Sequence, residues 1–143
     1  MVNRPNVYDC SLIDLGKVHN LVGNITVAEN LQQIPFEVKR VYYLYDIPGG
    51  ESRGGHAHRD LHQLIVAASG SFDLTVDDGR TKRTFHLARP NFGVYMPAGL
   101  WRDISNFSSG SICLVLASHL YDEADYLRDY DFFLSYKNVT NAI

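Results

Sequence analysis

The sequence is poor in cysteine: Cys10 and Cys113 are the only two among 143 residues. They form neither a CxxC pair nor any other metal-ligand spacing, so we expect buried free thiols rather than a disulfide or a zinc site. Redox chemistry based on thiols is therefore not indicated.

The sequence also lacks runs of lysine or arginine, and its net charge is −3. Without a basic footprint for phosphate backbones, nucleic acid is not expected as a partner. No stretch approaches the ~18 apolar residues that cross a bilayer, and Met1–Pro5 lacks the basic-then-apolar pattern of a secretory signal. We therefore predict a cytoplasmic protein with no membrane partner.

What the sequence does contain is a succession of short segments rich in β-branched and aromatic residues. Their close spacing is typical of an antiparallel sandwich or barrel. The chain length fits one domain spanning residues 1–143. The predicted strands are Ile25–Ala28, Arg40–Tyr45, Leu64–Ala68, Phe72–Val76, Arg83–Leu87, Gly93–Met96 and Ile112–Ala117.

Residues that favour turns lie between these predicted strands. Asp78 and Gly79 lie between two alternating segments and predict a β-hairpin, because both residue types tolerate positive φ. The glycine-rich stretch 49–55 is interpreted as a loop between strands.

Helical periodicity appears only near the end of the chain. Leu127, Tyr130, Asp131 and Leu134 would share one helix face, and Asp122 precedes them as a candidate N-cap. One short C-terminal helix is therefore predicted.

His56-Ala57-His58 is the densest chemical signal in the sequence. Residues two apart on a strand project from the same face, so the two imidazoles should lie together. Paired imidazoles suit either metal binding or proton transfer.

The surroundings of this pair resemble the two motifs of the cupin superfamily. The first motif continues to Gln63 and Gly70, and the second reads Pro97-x-Gly99-x-x-Arg102-x-x-x-Asn106. In cupins that bind a metal, a glutamate and a third histidine stand where this sequence has Gln63 and Arg102. The resemblance implies an all-β, jelly-roll β-barrel of the cupin type.

The two replacements bear on metal binding. Arginine stays protonated and offers donors but no lone pair to a metal. We therefore expect no metal and no other cofactor at this site, and histidines that move protons instead.

A narrower resemblance covers nearly the whole chain. Its main segments are Lys39-Arg40-Val41-Tyr42-Tyr43, Arg53-Gly54-Gly55-His56-Ala57-His58 and the segment 121–130, which reads YDEADYLRDY. Together these look like the sugar 3,4-ketoisomerases that act on dTDP-4-keto-6-deoxyglucose. The resemblance implies a metal-free homodimer, with N-terminal strands exchanged between subunits, that makes a dTDP-3-keto-6-deoxyhexose. Such products lead to 3-amino-3,6-dideoxy sugars of surface glycans such as lipopolysaccharide O-antigens.

This chemistry agrees with the residues present. Moving a ketone from C4 to C3 requires a base near neutral pKa and a donor for the developing oxyanion. We predict His58 as the principal base and His56 as a donor or second shuttle. Whether one histidine is enough for the proton transfer stays open. The C4 configuration of the product also stays open, because the residue at position 102 could decide from which side C4 is protonated.

The diphosphate of such a substrate needs cations, because guanidinium groups bind phosphate oxygens bidentately. The resemblance points to Arg53 and Arg128, and Arg40 is a third candidate. Arg102 is also expected to bind substrate, as a cation that would favour an anionic substrate or enolate. Only one of Tyr42 and Tyr43 can face the interior, and Tyr43 is chosen for the site. Trp101, Tyr126 and Tyr130 are candidates for stacking on the base or sugar.

Three other functions stay open at this stage. The chain could be a metal-dependent cupin enzyme that uses substitute ligands, an enzyme similar to the dTDP-sugar 3,5-epimerases, or a sugar-nucleotide-binding module without catalysis.

Overall fold

A computed structural model describes residues 4–138 of the protein as two five-stranded antiparallel sheets, a separate two-stranded hairpin, one α-helix and two short 3-10 helices. The strand order is β1-β9-β6-β11-β4 in the first sheet and β12-β5-β10-β7-β8 in the second. The elements are β1 Ser11–Asp14, β2 Val18–Asn20, β3 Gly23–Ile25, β4 Arg40–Leu44, β5 Arg53–His58, β6 Gln63–Ser69, β7 Phe72–Asp77, β8 Lys82–Leu87, β9 Phe92–Met96, β10 Trp101–Ser105, β11 Ile112–Ala117, β12 Tyr126–Leu127 and α1 Tyr130–Tyr136.

The main core lies between the two large sheets. Alternate residues of β7, Phe72, Leu74 and Val76, are fully buried and pack with Ile65 of β6 and Val115 of β11 from the opposite sheet. This alternation is what the period of two along a strand requires. Among the described residues, each sheet has its own hydrogen-bonded ladder, so the arrangement is an open sandwich rather than a closed cylinder.

The predicted hairpin is present. β7 and β8 pair in register from Phe72 with Leu87 to Asp77 with Lys82. The Asp78 carboxylate accepts hydrogen bonds from the amides of Arg80 and Thr81, and Gly79 has a φ of 91°. The positive φ and the side-chain acceptor explain why this residue pair forms the turn.

The predicted C-terminal helix is present, but it begins at Tyr130, later than the sequence pattern suggested. Asp122 does not cap α1; its side chain accepts the Ala124 amide of a short 3-10 helix, Glu123–Asp125. Leu127 belongs to β12, which pairs with β5 opposite Ala57. Long-range pairing with β5 therefore overrides the local helical pattern up to Leu127.

Two further expectations are corrected. Strand β3 ends at Ile25, so the segment 25–28 is not the predicted strand. The glycine-rich stretch is not wholly loop, because β5 begins at Arg53.

A Cβ at Gly55 would collide with the Trp101 indole. Glycine is thus required there by the close approach of β10.

Helices of the described part of the chain are too short or too polar to cross a membrane.

Candidate active site

A cavity of about 750 Å³ lies between strands of the two large sheets. Its walls come from β4, β5, β10 and the segment that surrounds β12, and the volume is in the range of small-molecule sites. The lining residues are Arg40, Tyr42, Leu44, Ser52, Arg53, Gly54, Gly55, His56, Arg102, Ile104, Tyr121, Tyr126 and Arg128.

The two histidines of β5 lie side by side but at different depths. Their ring centroids are 4.9 Å apart and the rings are nearly perpendicular. His56 lines the cavity, whereas His58 is 2% exposed and lies beyond the lining residues. Ala57 between them points to the opposite face of the sheet, against Leu127 and Phe133.

Arg102 lies on β10 directly opposite His56 of β5. One guanidinium nitrogen, Nη2, is 3.1 Å from the Tyr42 hydroxyl and 3.3 Å from His56 Nε2. Because guanidinium only donates, Nε2 of His56 accepts and its hydrogen lies on Nδ1. Tyr42 in turn donates to Gln63 Oε1 at 3.4 Å. We call Tyr42, His56, His58 and Arg102 the inner end of the cavity.

His58 has a carboxylate partner that was not predicted from the sequence. Its Nδ1 is 3.1 Å from Oδ2 of Asp125. Its other ring nitrogen, Nε2, is buried and has no hydrogen-bond partner among the described residues.

Both imidazoles are neutral at pH 7. Burial, and after it the positive charge of Arg102, lowers the pKa of His56 and of His58 from 6.5 to about 3. Burial also raises the pKa of the Tyr42 hydroxyl, so Tyr42 keeps its proton. The inner end therefore offers neutral nitrogen acceptors beside a fixed cation.

The rim of the cavity, formed by Arg53, Tyr121, Glu123, Tyr126 and Arg128, is more exposed. The Arg128 guanidinium lies 4.2 Å from the Tyr126 ring centroid and donates to both carboxylate oxygens of Glu123 at 2.7 and 2.9 Å. Tyr121 donates to Glu123 as well. The rim thus presents arginine side chains to solvent, one of them already held by a carboxylate.

Most of the site residues expected from the sequence line this cavity. Arg40, Arg53, His56, Arg102 and Arg128 line it, and His58 lies directly behind His56.

Tyr43 does not line the cavity, which corrects its choice over Tyr42. On β4 the inward positions are Tyr42 and Leu44, whereas Tyr43 is 58% exposed on the outer face and packs beside Tyr45. Of the aromatic candidates, Tyr126 lines the cavity. Trp101 and Tyr130 belong instead to the cluster around α1.

Asp125, Tyr121 and Glu123 were not singled out. All three stand in the segment 121–130 that carries the resemblance. An acidic residue whose partner is a distant histidine leaves no local periodicity to detect, so only its presence in that motif pointed to it.

The donor set of the inner end does not suit a divalent metal, because the Arg102 guanidinium lies 3.3 Å from His56 Nε2. Residues 4–138 contain no cluster of three or more His, Cys, Asp or Glu side chains placed to hold a metal ion.

Comparison with known proteins places this geometry in context. The family model described as FdtA: WxcM-like, C-terminal, matches residues 8–138. TDP-4-oxo-6-deoxy-alpha-D-glucose-3,4-oxoisomerase of Aneurinibacillus thermoaerophilus is 40% identical over 125 residues, which cover 87% of this chain and 90% of the relative.

Two solved structures are also similar. TDP-quinovose 3,4-ketoisomerase WlaRB of Campylobacter jejuni has a TM-score of 0.86 and 40% identity, covering 90% of this chain and 99% of its own. A histidine-to-asparagine variant of the 3,4-ketoisomerase QdtA of Thermoanaerobacterium thermosaccharolyticum, in complex with TDP-4-keto-6-deoxyglucose, has a TM-score of 0.90 and 32% identity, covering 96% and 100%. The prediction of an all-β fold of the cupin type with one short C-terminal helix is confirmed.

Proposed function

Because the chain belongs to the FdtA, WxcM-like family, we propose that it is a sugar-nucleotide 3,4-ketoisomerase that converts dTDP-4-keto-6-deoxyglucose to a dTDP-3-keto-6-deoxyhexose. The observation that carries the proposal is the inner end of the cavity. It sets a neutral histidine on the wall, with a buried arginine and a tyrosine hydroxyl within hydrogen-bond distance of one another.

The reaction breaks the C3–H and O3–H bonds and forms the C4–H and O4–H bonds, with no net gain or loss of atoms. A base takes the C3 proton, an enediol forms, and the proton is returned to C4. We assign the carbon proton to His56, because His56 lines the cavity and His58 does not. This reverses the order of the two histidines that the sequence alone suggested.

Negative charge develops on the sugar oxygens as the C3 proton leaves. Arg102 is the donor at the inner end, and the Tyr42 hydroxyl, which accepts from it, fixes the guanidinium before substrate binds. Fixed donors in a water-poor site stabilise an oxyanion without reorganising during the reaction. A bound substrate diphosphate would also offset the arginine charges that lower the histidine pKa values.

The rim suits the nucleotide. Arg53, Arg128 and Arg40 line the cavity outward from the histidines, and guanidinium groups match phosphate oxygens in charge and shape. Tyr126 offers an aromatic face beside them. We therefore assign the diphosphate to these arginines, with Glu123 released from Arg128 or shared with it on binding.

The proposal includes no metal and no cofactor. The argument is the chemistry of the donors: Arg102 brings a permanent positive charge to the position that a metal would need, and the reaction moves only protons. Residues 1–143 would act as one catalytic domain.

We also propose that the protein is a homodimer with exchanged N-terminal strands. The hairpin β2–β3 pairs with neither large sheet, and its turn residues Leu21 and Val22 are 101% and 95% exposed. An isolated two-stranded hairpin is marginal in water, so a second copy of the chain is the natural cover for these apolar side chains. Sedimentation should give twice the chain mass; a monomer would exclude this part of the proposal.

The product class places the enzyme before an aminotransferase. A 3-keto sugar nucleotide is the carbonyl that transamination converts to a 3-amino-3,6-dideoxy sugar, the type found in O-antigens. We assign the protein to the cytoplasm, because Cys10 and Cys113 are buried free thiols, as expected in a reducing compartment.

The test is an NMR assay of purified protein with dTDP-4-keto-6-deoxyglucose, in water and in deuterium oxide, with and without a 3-aminotransferase. A 3-keto product, trapped as the 3-amino sugar, supports the proposal. Inversion at ring carbons without ketone migration would indicate an epimerase, and unchanged substrate with tight dTDP binding would indicate a binding module.

A further inference from the structure

A buried acceptor beside the reactive histidine has no partner. Nε2 of His58 is buried and makes no hydrogen bond within the described part of the chain. A buried polar atom without a partner destabilises the folded protein. A histidine kept only for packing would not need this arrangement, so the free nitrogen calls for an explanation.

The opposite side of the same ring is tightly held. Asp125 Oδ2 lies 3.1 Å from His58 Nδ1, and Asp125 Oδ1 accepts the Asp60 amide at 2.7 Å. The backbone of Asp125 is fixed too, because its carbonyl accepts the Arg59 amide at 2.9 Å and its amide donates to Asp122. The carboxylate is thus locked to the turn that follows β5.

From these contacts we infer that Asp125 is a positioning residue: it holds the His58 imidazole in the tautomer with hydrogen on Nδ1 and so keeps Nε2 free as a proton acceptor. A carboxylate only accepts hydrogen bonds, so Nδ1 must be the donor of the pair. The tautomer of a buried histidine is set by the hydrogen bond that its other nitrogen makes.

The reaction has a use for this acceptor, and this step rests on the proposed function. Besides the carbon proton, the hydroxyl hydrogen must leave O3 and reach O4. His56 is assigned to the carbon proton, so its one acceptor nitrogen, Nε2, leaves Arg102 on substrate binding and is committed to that proton. His58 Nε2 is the remaining imidazole acceptor at the inner end. Because His58 does not line the cavity, the hydroxyl hydrogen passes from O3 to Nε2 through one water molecule and returns to O4 the same way. His58 ends the reaction in the protonation state in which it began.

The substitution Asp125→Asn tests the inference because the surroundings dictate which way the new amide lies. The Asp60 amide needs an acceptor at the Oδ1 position, so the asparagine oxygen goes there and its NH₂ group faces His58. That NH₂ donates to Nδ1, which forces the hydrogen onto Nε2 and removes the acceptor. Asp122→Asn is the matched control, because Asp122 caps the adjacent turn through Ala124 and has no hydrogen bond to a histidine.

The primary readout is ¹⁵N NMR of protein labelled at histidine, with the His58 signals assigned by their loss in His58→Asn. In the wild-type protein we expect hydrogen on Nδ1 of His58, and in Asp125→Asn on Nε2. Hydrogen on Nε2 in the wild-type protein overturns the inference. This measurement needs neither substrate nor turnover, so it holds even if the isomerase assay fails or Asp125→Asn does not fold.

The second readout is kinetic. Asp125→Asn should lower kcat at least 100-fold while KM and the Kd for dTDP change less than threefold, and Asp122→Asn should keep wild-type kcat. A changed tautomer with unchanged kcat would show that the reaction does not use Nε2. A lowered kcat with an unchanged tautomer would show that Asp125 acts in another way. Either result overturns the proposed role.

Discussion

The inner end and the rim of the cavity use the same residue type in opposite ways. Arg102 at the inner end is buried and bonded to neutral partners, Tyr42 and His56. Arg128 at the rim is 55% exposed and paired with a carboxylate. In a buried setting a charge acts strongly on its neighbours, whereas at the surface water screens it. The contrast supports the proposal that the inner arginine acts on the chemistry and that the outer arginines bind the diphosphate.

The largest expected effect is at the inner end. Asparagine resembles histidine in polarity but cannot take up a proton, so His56→Asn should lower kcat by about 10²–10⁴-fold. The Kd for dTDP, measured by calorimetry, should change little because the rim is untouched. His58→Asn should lower kcat as well, but less than His56→Asn. If both variants keep wild-type turnover, the pair is structural and the acid/base assignment is wrong.

Removing the buried charge should change both rate and pH dependence. Arg102→Gln takes away an oxyanion donor, so kcat should fall about 10²-fold. Arg102 also lowers the pKa of His56 and His58, so without it both pKa values rise toward 6.5. The acid limb of kcat/KM should therefore begin at a higher pH in the variant than in the wild-type protein. An acid limb that does not move would mean that Arg102 does not act on the base.

How much of the fold and the site can be predicted from the sequence depends on how far apart in the chain the interacting residues are. The period of two along β5 was enough to predict that His56 and His58 share a face, and the turn chemistry of Asp78 and Gly79 predicted the β7–β8 hairpin. These are local rules, and the structure agrees with them.

The predictions that were wrong or missing concern long-range contacts and the direction in which a strand side chain points, which no local rule determines. Strand parity separates Tyr42 from Tyr43 but does not say which one faces inward. Strand β12 is Tyr126–Leu127 alone, and it exists because β5 offers it an edge. The same pairing brings Asp125 beside His58, a contact between residues far apart in sequence.

At the rim the expected effect is on binding. Arg53→Ala and Arg128→Ala should each raise the Kd for dTDP about tenfold, because each removes a charge-assisted phosphate contact worth ~1.5–3 kcal/mol before solvent screening. Turnover at saturating substrate should change less than binding does. The loss should shrink at high salt, which screens exposed charges. Calorimetry at low and high salt checks this, and unchanged affinity in both variants would show that these arginines are only surface charges.

A smaller effect separates the two tyrosines of β4. Tyr42→Phe removes a hydroxyl that accepts from Arg102 and donates to Gln63, so kcat should fall about tenfold. Tyr43→Phe removes a hydroxyl on the outer face and should leave kcat and KM as they are. Steady-state kinetics of the pair checks the facing of the strand directly, and equal losses in both variants would contradict it.

Treatment with a chelator should have no effect on activity. Arg102 stands at the inner end with its guanidinium 3.3 Å from His56 Nε2, and a divalent ion there would meet that fixed charge at close range. The protein should therefore keep its full activity after prolonged exposure to a strong chelator, and elemental analysis should find no divalent metal in stoichiometric amount.

The variant Arg102→His gives a sharper test, because it introduces a third imidazole and removes the permanent positive charge. Zinc or nickel should bind that variant more tightly than the wild-type protein in a calorimetric titration. One tightly held metal per wild-type chain, with activity lost on its removal, would contradict the assignment and favour a metal-dependent enzyme.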